Sequence, residues 1–243
     1  MDRVNILIIG GGVVGCAIAA ELAARWDNVF LVEQLPRLGM ATSTRNSGVL
    51  HSGIYYPPGS LKARLCVSGN VMTKEFCAAH GVPHDNCGKL VVATQESEIA
   101  ALEKLAANGR ANGVEGLRIV DRARIRQREP HVSAVAALEV PSTGIVEAEA
   151  LVKAYARIAV ERGANILNHA RVVELKPCAD SIAVVIELDD DSLFAVRQNG
   201  AQAEFQMLDL GALGIRVGSH RFPKVYSSDG LRGVSADGRW WLE

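Results

Sequence analysis

The chain has 243 residues, enough for one large domain or two small ones. Apolar residues make up 49% and charged residues 22%, a balance that fits a globular protein with an ample core and argues against a disordered one. A net charge of −1 offers no basic face, so no nucleic-acid partner is expected, and no apolar run approaches the ~20 residues of a membrane span.

The first element is the most informative. The apolar run Val4-Asn5-Ile6-Leu7-Ile8-Ile9 reads as a strand leading into Gly10-Gly11-Gly12-Val13-Val14-Gly15, and a helix of small residues follows over 16–25. Gly10 permits a sharp turn, Gly12 lets the backbone approach a pyrophosphate, and Gly15 lets helix and strand pack closely. Amides at the helix start, those of Val13 and Val14, face the anion there, and the helix dipole favours its charge. A second strand over 29–32 ends at Glu33, followed by Gln34, where a carboxylate can accept hydrogen bonds from a ribose. The glycine pattern alone is weak. Strand, turn, helix, strand and acid in this order point to a dinucleotide site rather than a glycine-rich structural turn.

Two other features of this region have competing explanations. Arg3, the apolar run and Ala19-Ala20 imitate a secretory signal, and Val13-Val14-Gly15-Cys16 resembles a lipoprotein processing site. Three successive glycines interrupt the apolar core a signal needs, which favours the nucleotide-binding reading. The five cysteines (Cys16, Cys66, Cys77, Cys87 and Cys178) lack C-x-x-C spacing, so reduced thiols and a cytoplasmic location are expected. Cys87 reads as a small apolar residue near a strand start, with a reactive thiol as the alternative.

Farther along, a glycine-punctuated loop extends to about residue 60, and a helix over 61–80 ends at Gly81 and Pro83. A strand over 89–94, an amphipathic helix over 96–108 closed by Gly109, and a strand over 117–120 follow. Asp121 can cap a short helix ahead of Pro130. Residues 135–140 and 144–146 look extended. A helix over 147–162 has acids in its first turn, Leu151, Tyr155 and Ile158 on one face, and Gly163 as its stop. Strands at 165–167, 171–175 and 182–188 precede a turn at Asp189-Asp190-Asp191, beyond which periodicity is poor and no function is assigned. The alternation of strands and helices predicts a doubly wound α/β fold. Its Rossmann-like domain would comprise 1–84 and 147–188, an inserted α+β substrate domain 85–146, and a separate tail 189–243.

The run Ala41-Thr42-Ser43-Thr44-Arg45-Asn46-Ser47-Gly48-Val49-Leu50-His51-Ser52-Gly53-Ile54-Tyr55-Tyr56 is dense in hydroxyl, amide and glycine. A flat polar ring and a pyrophosphate need such a loop, because small residues permit close approach and polar groups replace lost water. Composition alone would favour an ordinary polar loop. From Asn46 to Tyr56, then through Pro58-Gly59-Ser60-Leu61-Lys62-Ala63-Arg64-Leu65-Cys66, the sequence resembles the L-2-hydroxyglutarate dehydrogenases and oxidases. Cys87-Gly88-Lys89-Leu90-Val91-Val92-Ala93 and Thr143-Gly144-Ile145-Val146 match the same family, which lies within the FAD-dependent oxidoreductases similar to D-amino-acid oxidase.

The resemblance covers about residues 4–180 and implies FAD as the dinucleotide, with Glu33 on the adenosine ribose. It implies that Thr44, Asn46, Ser47 and Gly48 lie near the pyrophosphate and flavin, and that the Val172 backbone meets adenine. It also implies oxidation of L-2-hydroxyglutarate to 2-oxoglutarate, with oxygen or a quinone as electron acceptor, and admits peripheral membrane association. Other members of the group act on glycerol 3-phosphate or an amino acid, and these stay open as substrates. An NAD-dependent enzyme would share the first motif but leave the loop 44–56 unexplained. The family continues past this length with an alanine-glycine motif that is not found after residue 180. A truncated or frame-shifted reading frame, or a strongly diverged tail, is therefore expected, with a nucleotide-binding remnant without catalysis as one consequence.

For a 2-hydroxy acid the reaction removes the hydroxyl proton and passes a hydride to the flavin, so the protein must orient the substrate and supply a base. His51 is the candidate base, because it follows the flavin loop and imidazole can take a proton near neutral pH. A structural histidine bonding the loop backbone is the equal alternative. Tyr55 and Tyr56 can bind a carboxylate or pack against the flavin domain. Lys62 and Arg64 offer charge to a dicarboxylate or phosphate unless they are simply solvated. Lys89 can be an edge-strand charge. His80, His84, His131, His169 and His220 lack metal-like spacing, and no metal is expected.

Overall fold

The computed structural model describes the backbone of residues 4–178, 181–188, 193–199, 202–207, 231–234 and 240–242, with side chains described up to 176 and over 184–188. The turn expected at Asp189-Asp190-Asp191, and His220, lie outside the described residues.

In chain order the elements are β1 (Ile6–Ile9), α1 (Val13–Ala23), β2 (Val29–Val32), β3 (Val49–Leu50), α2 (Leu61–His80), β4 (His84–Asp85), β5 (Lys89–Ala93), α3 (Ile99–Ala111), β6 (Arg118–Asp121) and α4 (Arg122–Arg128). They continue with β7 (Ala136–Val140), β8 (Gly144–Val146), α5 (Ala148–Glu161), β9 (Asn165–Leu167), β10 (Ala170–Cys178), β11 (Ser181–Leu188), β12 (Leu193–Asn199), β13 (Gln202–Met207), β14 (Leu231–Val234) and β15 (Trp240–Leu242). They form two compact units, residues 1–45 with 152–243, and residues 46–151.

The first unit holds a parallel sheet in the order β1-β2-β9, with Ile6 opposite Val29 and Phe30 opposite Asn165. Every residue of β2 is buried, as expected of a parallel strand covered on both faces. The helix α1 buries Cys16, Ala19, Ala20 and Ala23, and such small side chains bring its axis close to the strands. It begins at Val13, directly on the glycine turn, and is three residues longer at its start than the sequence predicts. An antiparallel sheet, β10-β11-β12-β13, belongs to the same unit. Val4, Phe30 and Val32 share one apolar cluster with Ala170, Val184 and Ile186, which joins the two sheets. Arg162 Nη1 donates to Ala20 O at 2.8 Å, tying the residues after α5 to α1.

The second unit contains two three-stranded antiparallel sheets, β3-β8-β4 and β5-β7-β6. All five residues of the central strand β7 are buried. The main core gathers Ile54, Ala93, Leu102, Ala106, Leu117, Leu138 and Val140. The bounds of α2 match the sequence reading. Ser60 Oγ accepts from Ala63 N at its start, and Gly81 ends it in the left-handed region at φ +67°. Asp121 caps α4 as expected, its Oδ1 accepting from Arg124 N at 2.9 Å.

Three expectations need correcting. The helix predicted over 96–108 starts as a 3₁₀ turn at Glu96–Glu98 and continues as α3 through Gly109 to Ala111. Gly109 is a packing residue rather than a stop, because a Cβ there would stand 2.6 Å from Leu117 Cδ1, and Gly113 at φ +82° follows the helix instead. The buried face of α5 is Val152, Ala154, Ala156, Ile158 and Ala159, with Leu151 and Tyr155 only half-buried. The division between units falls after residues 45 and 151 rather than 84 and 146. The physical reason is strand pairing: β3 and β4 both hydrogen-bond β8, so residues 49–50 join the middle segment.

Candidate functional site

The first unit carries the dinucleotide cradle. β1 ends and the chain turns at Gly10, whose φ of +101° is closed to most side chains. Gly10 N donates to Val32 O at 2.8 Å, which fixes the turn beside the end of β2. A Cβ at Gly15 would lie 2.0 Å from Gly10 O, so the first turn of α1 rests directly on the loop backbone. The first turn of α1 contains no acidic residue of its own.

Val13 N donates to Ser43 Oγ at 2.9 Å. Among the described residues the amides of Gly12 and Val14 have no acceptor, so the loop leaves them for a phosphate. Glu33, 9% exposed, closes the cradle. Its Oε2 accepts from Gly11 N at 2.7 Å and its Oε1 from Leu35 N at 2.9 Å. Each oxygen keeps a second lone pair, and the pair is held rigidly enough to receive two ribose hydroxyls. The neighbouring Gln34 is exposed. Cys16 Sγ donates to Gly11 O at 3.6 Å, and burial, with the charge of Glu33, pushes its thiol up to about 11. That thiol is a packing group and stays protonated at neutral pH.

Thr44 is committed to its own loop, with Oγ1 donating to Gly39 O at 2.7 Å. Val172 lies on β10 opposite Ile186, its side chain against the cluster that holds Phe30 and Val32. The register shifts between Val172 and Glu174, so the backbone departs from regular pairing next to the residue expected to meet adenine. Gly11 and Ser43 take part in the cradle without having been singled out by the sequence. Gly11 falls at a variable position of the glycine pattern, and Ser43 is 30 residues from the amide it caps.

The second unit carries the rest of the polar run. Asn46 Oδ1 accepts from Gly48 N at 2.8 Å, and Gly48 adopts φ +64° with its would-be Cβ 2.4 Å from Val146 O. Only glycine fits there, while Asn46 and Ser47 are exposed. The segment after β3 is pinned by the buried Asn70, whose Nδ2 donates to Leu50 O, His51 O and Ser142 O at 3.3, 3.1 and 3.0 Å. Cys66 Sγ also donates to His51 O, at 3.4 Å. The His51 carbonyl is therefore anchored, whereas its imidazole is exposed and bonds no other side chain or backbone group among the described residues.

In the same unit, Lys89 Nζ stands 4.4 Å above the Tyr55 ring and 3.4 Å from its hydroxyl, and Lys62 Nζ stands 4.6 Å from the centre of the Tyr56 ring. Burial pushes the Cys66 thiol up, against the opposing pull of Lys62 and Lys89. Arg64 is exposed on α2. Lys74 is lowered from the usual lysine range by burial and donates to Ser142 O at 2.8 Å. His84 Nδ1 lies 2.9 Å from Val82 O and the His80 ring 4.4 Å from that of Phe76, so both have structural partners. Among the described residues no group of three His, Cys, Asp or Glu side chains is arranged to hold a metal, and no helix is long and apolar enough to cross a membrane.

A parallel sheet, a glycine turn opening a helix, and an acid closing the second strand define a Rossmann-like dinucleotide-binding fold of the oxidoreductase type. Residues 5–203 match the family described as FAD dependent oxidoreductase, named DAO, and the chain belongs to that family. The match runs past residue 180, where the resemblance ends in the sequence reading, and takes in β12, which pairs with β11. FAD is the cofactor of this family, and the cradle fits it: a turn bare of side chains at Gly10–Gly12, amides at the helix start, and a fixed carboxylate for the ribose.

Among curated proteins the chain is 40% identical over 182 residues to the mitochondrial L-2-hydroxyglutarate dehydrogenase of Nematostella vectensis. The aligned part is 74% of this chain and 40% of that protein. It is 36% identical over 182 residues to the L-2-hydroxyglutarate dehydrogenase of Escherichia coli, covering 74% of this chain and 43% of that protein. The FAD-bound L-α-glycerophosphate oxidase of Mycoplasma pneumoniae superimposes with a TM-score of 0.70 at 31% identity, covering 76% of this chain and 50% of the other. The chain thus spans less than half the length of these two curated relatives.

Proposed function

We propose that the chain binds FAD and serves the oxidation of a 2-hydroxy acid, L-2-hydroxyglutarate, to 2-oxoglutarate. The observation that carries this reading is the Gly10–Gly15 cradle closed by Glu33, in a chain about 40% identical to L-2-hydroxyglutarate dehydrogenases. Gly12 and Val14 amides hold the pyrophosphate, Glu33 the ribose, and Asn46, Ser47 and Gly48 the region nearer the flavin. FAD held there would supply the acceptor for the hydride lost from the carbinol carbon. His51 takes the hydroxyl proton: its exposed imidazole is uncommitted, and Asn70 and Cys66 hold its backbone still.

A second reading, oxidation of glycerol 3-phosphate, is favoured by the likeness to the glycerophosphate oxidase. Purified protein should be yellow, with absorption near 450 nm, the range typical of flavins. With a dye acceptor it should oxidise L-2-hydroxyglutarate in preference to glycerol 3-phosphate and amino acids. His51→Asn should lower kcat at least about 100-fold without releasing FAD, the lower end of a general base's usual contribution. Preferential turnover of glycerol 3-phosphate would replace the first reading by the second. Colourless protein would remove both.

A further inference from the structure

The geometry points to Lys62 and Lys89 as the subsite that receives the second carboxylate of a dicarboxylic 2-hydroxy acid, and so as the residues that select it over a monocarboxylic one. This rests on the 2-hydroxy acid reading above and names its specificity element.

Three observations support it. First, neither ammonium group has a carboxylate within ion-pair distance among the described residues. Lys89 bonds only the Tyr55 hydroxyl, and Lys62 contacts only the Tyr56 ring face. Second, both ammonium groups rest on aromatic rings, Lys62 exposed and Lys89 half-buried. Tyr55 and Tyr56 are consecutive residues and each carries one ammonium group on its ring, at 4.4 and 4.6 Å, so two positive charges rest on neighbouring residues. Both charges act on the same thiol, Cys66, which donates to the His51 carbonyl at 3.4 Å, so the pair flanks the segment bearing the candidate base.

Third, the placement is unfavourable without an anion. Lys62 lies in the first turn of α2, where the helix dipole opposes a cation and no acidic residue offsets it. Lys89 opens an edge strand, yet it is half-buried over Tyr55 instead of extended into water. A carboxylate received by the two ammonium groups would offset both charges and the dipole. It could also accept a hydrogen bond from the Tyr55 hydroxyl.

The test is calorimetric binding of the reaction product to the whole chain saturated with FAD, which avoids turnover. The ligands are 2-oxoglutarate and 2-oxopentanoate, which share a chain length and differ in the second carboxylate. Wild type should prefer 2-oxoglutarate. Lys62→Met and Lys89→Met should each weaken it at least about tenfold, about 1.4 kcal/mol, and leave 2-oxopentanoate unchanged. Lys62→Arg and Lys89→Arg should retain most of the preference, and Lys104→Met, an exposed lysine on α3, should retain all of it. Unchanged 2-oxopentanoate binding doubles as the check that each variant is folded. Equal losses for both acids, or none for 2-oxoglutarate, would overturn the subsite while leaving the proposed oxidation standing. A yellow wild-type protein that ignores both acids but binds glycerol 3-phosphate would overturn the proposed function, and the ligand assigned to this subsite with it.

Discussion

Substituting Gly15 by alanine sets two physical effects against each other. Gly15 is inside α1, and alanine in a helix interior is worth about 0.5–1 kcal/mol over glycine. Against this, the new Cβ would sit 2.0 Å from Gly10 O, where ordinary contact begins at 3.4 Å. The obstacle is backbone, not a side-chain tip that can rotate away, so α1 and the turn would have to part by about 1.4 Å. Overpacking of this kind costs about 1–3 kcal/mol, so Gly15→Ala should destabilise the protein by roughly 1–2 kcal/mol net. It should also weaken FAD binding at least tenfold, because the parted turn misplaces the Gly12 and Val14 amides. Gly69→Ala is the matched control: it lies within α2, where a Cβ would meet nothing within 4 Å, and it should stabilise by about 0.5–1 kcal/mol. Urea unfolding followed by circular dichroism measures stability, and quenching of flavin fluorescence measures FAD. If Gly15→Ala raises the urea midpoint as Gly69→Ala does and keeps full FAD affinity, the close-packing account of the cradle is wrong.

Glu139 is 2% exposed on β7 and takes Arg118, Arg124 and Arg128 at 2.8, 3.2 and 3.3 Å. Burial raises its carboxyl, but the hydrogen bonds and charges of Arg124 and Arg118 outweigh that and hold it below the usual range. Its stabilisation is therefore complete above the unfolded-state value of about 4.3 and is lost as pH falls through the lower folded value. Glu139→Gln should cost about 1–3 kcal/mol at pH 7, the arginines being open enough to regain water, and should flatten the acid limb of a stability-versus-pH curve. Asn70→Ala removes the amide whose two N–H groups serve three carbonyls and should cost about 1–3 kcal/mol, with faster hydrogen exchange across residues 50–56 read by mass spectrometry. Among the side-chain-described cysteines, an uncharged maleimide should label the exposed Cys87 first, and Cys16 and Cys77 only after unfolding, in peptide mass maps.

The cradle is legible in the amino-acid order because its rules are local. A strand of consecutive apolar residues, a turn that needs φ above zero, and a small-residue helix follow from the backbone preferences of 4–33, and Glu33 is one residue past the strand they predict. The same holds for α2, where Ser60 and Gly81 are end signals adjacent to the helix they bound. The resemblance in the run 44–66 points to the family through residue identity rather than through any physical rule.

What the sequence by itself determined was therefore the order of the longer elements up to β11, though not β3, β4 or β12–β15, together with the cradle and the cofactor class. Tertiary structure decided the rest, and each case involves partners far apart in the chain. Gly109 looks like a helix stop until Leu117 and Ile54 are seen to occupy the space of its missing side chain. Ser43 joins the cradle across 30 residues, and Asn70 binds Ser142 O across 72. The pairing of β3 with β8 moves residues 49–50 into the second unit, and the stacking of Lys62 and Lys89 on consecutive tyrosines turns two ordinary surface cations into a pair. Periodicity and capping act within a few residues, whereas these contacts depend on which distant surfaces the folded chain brings within a few ångströms.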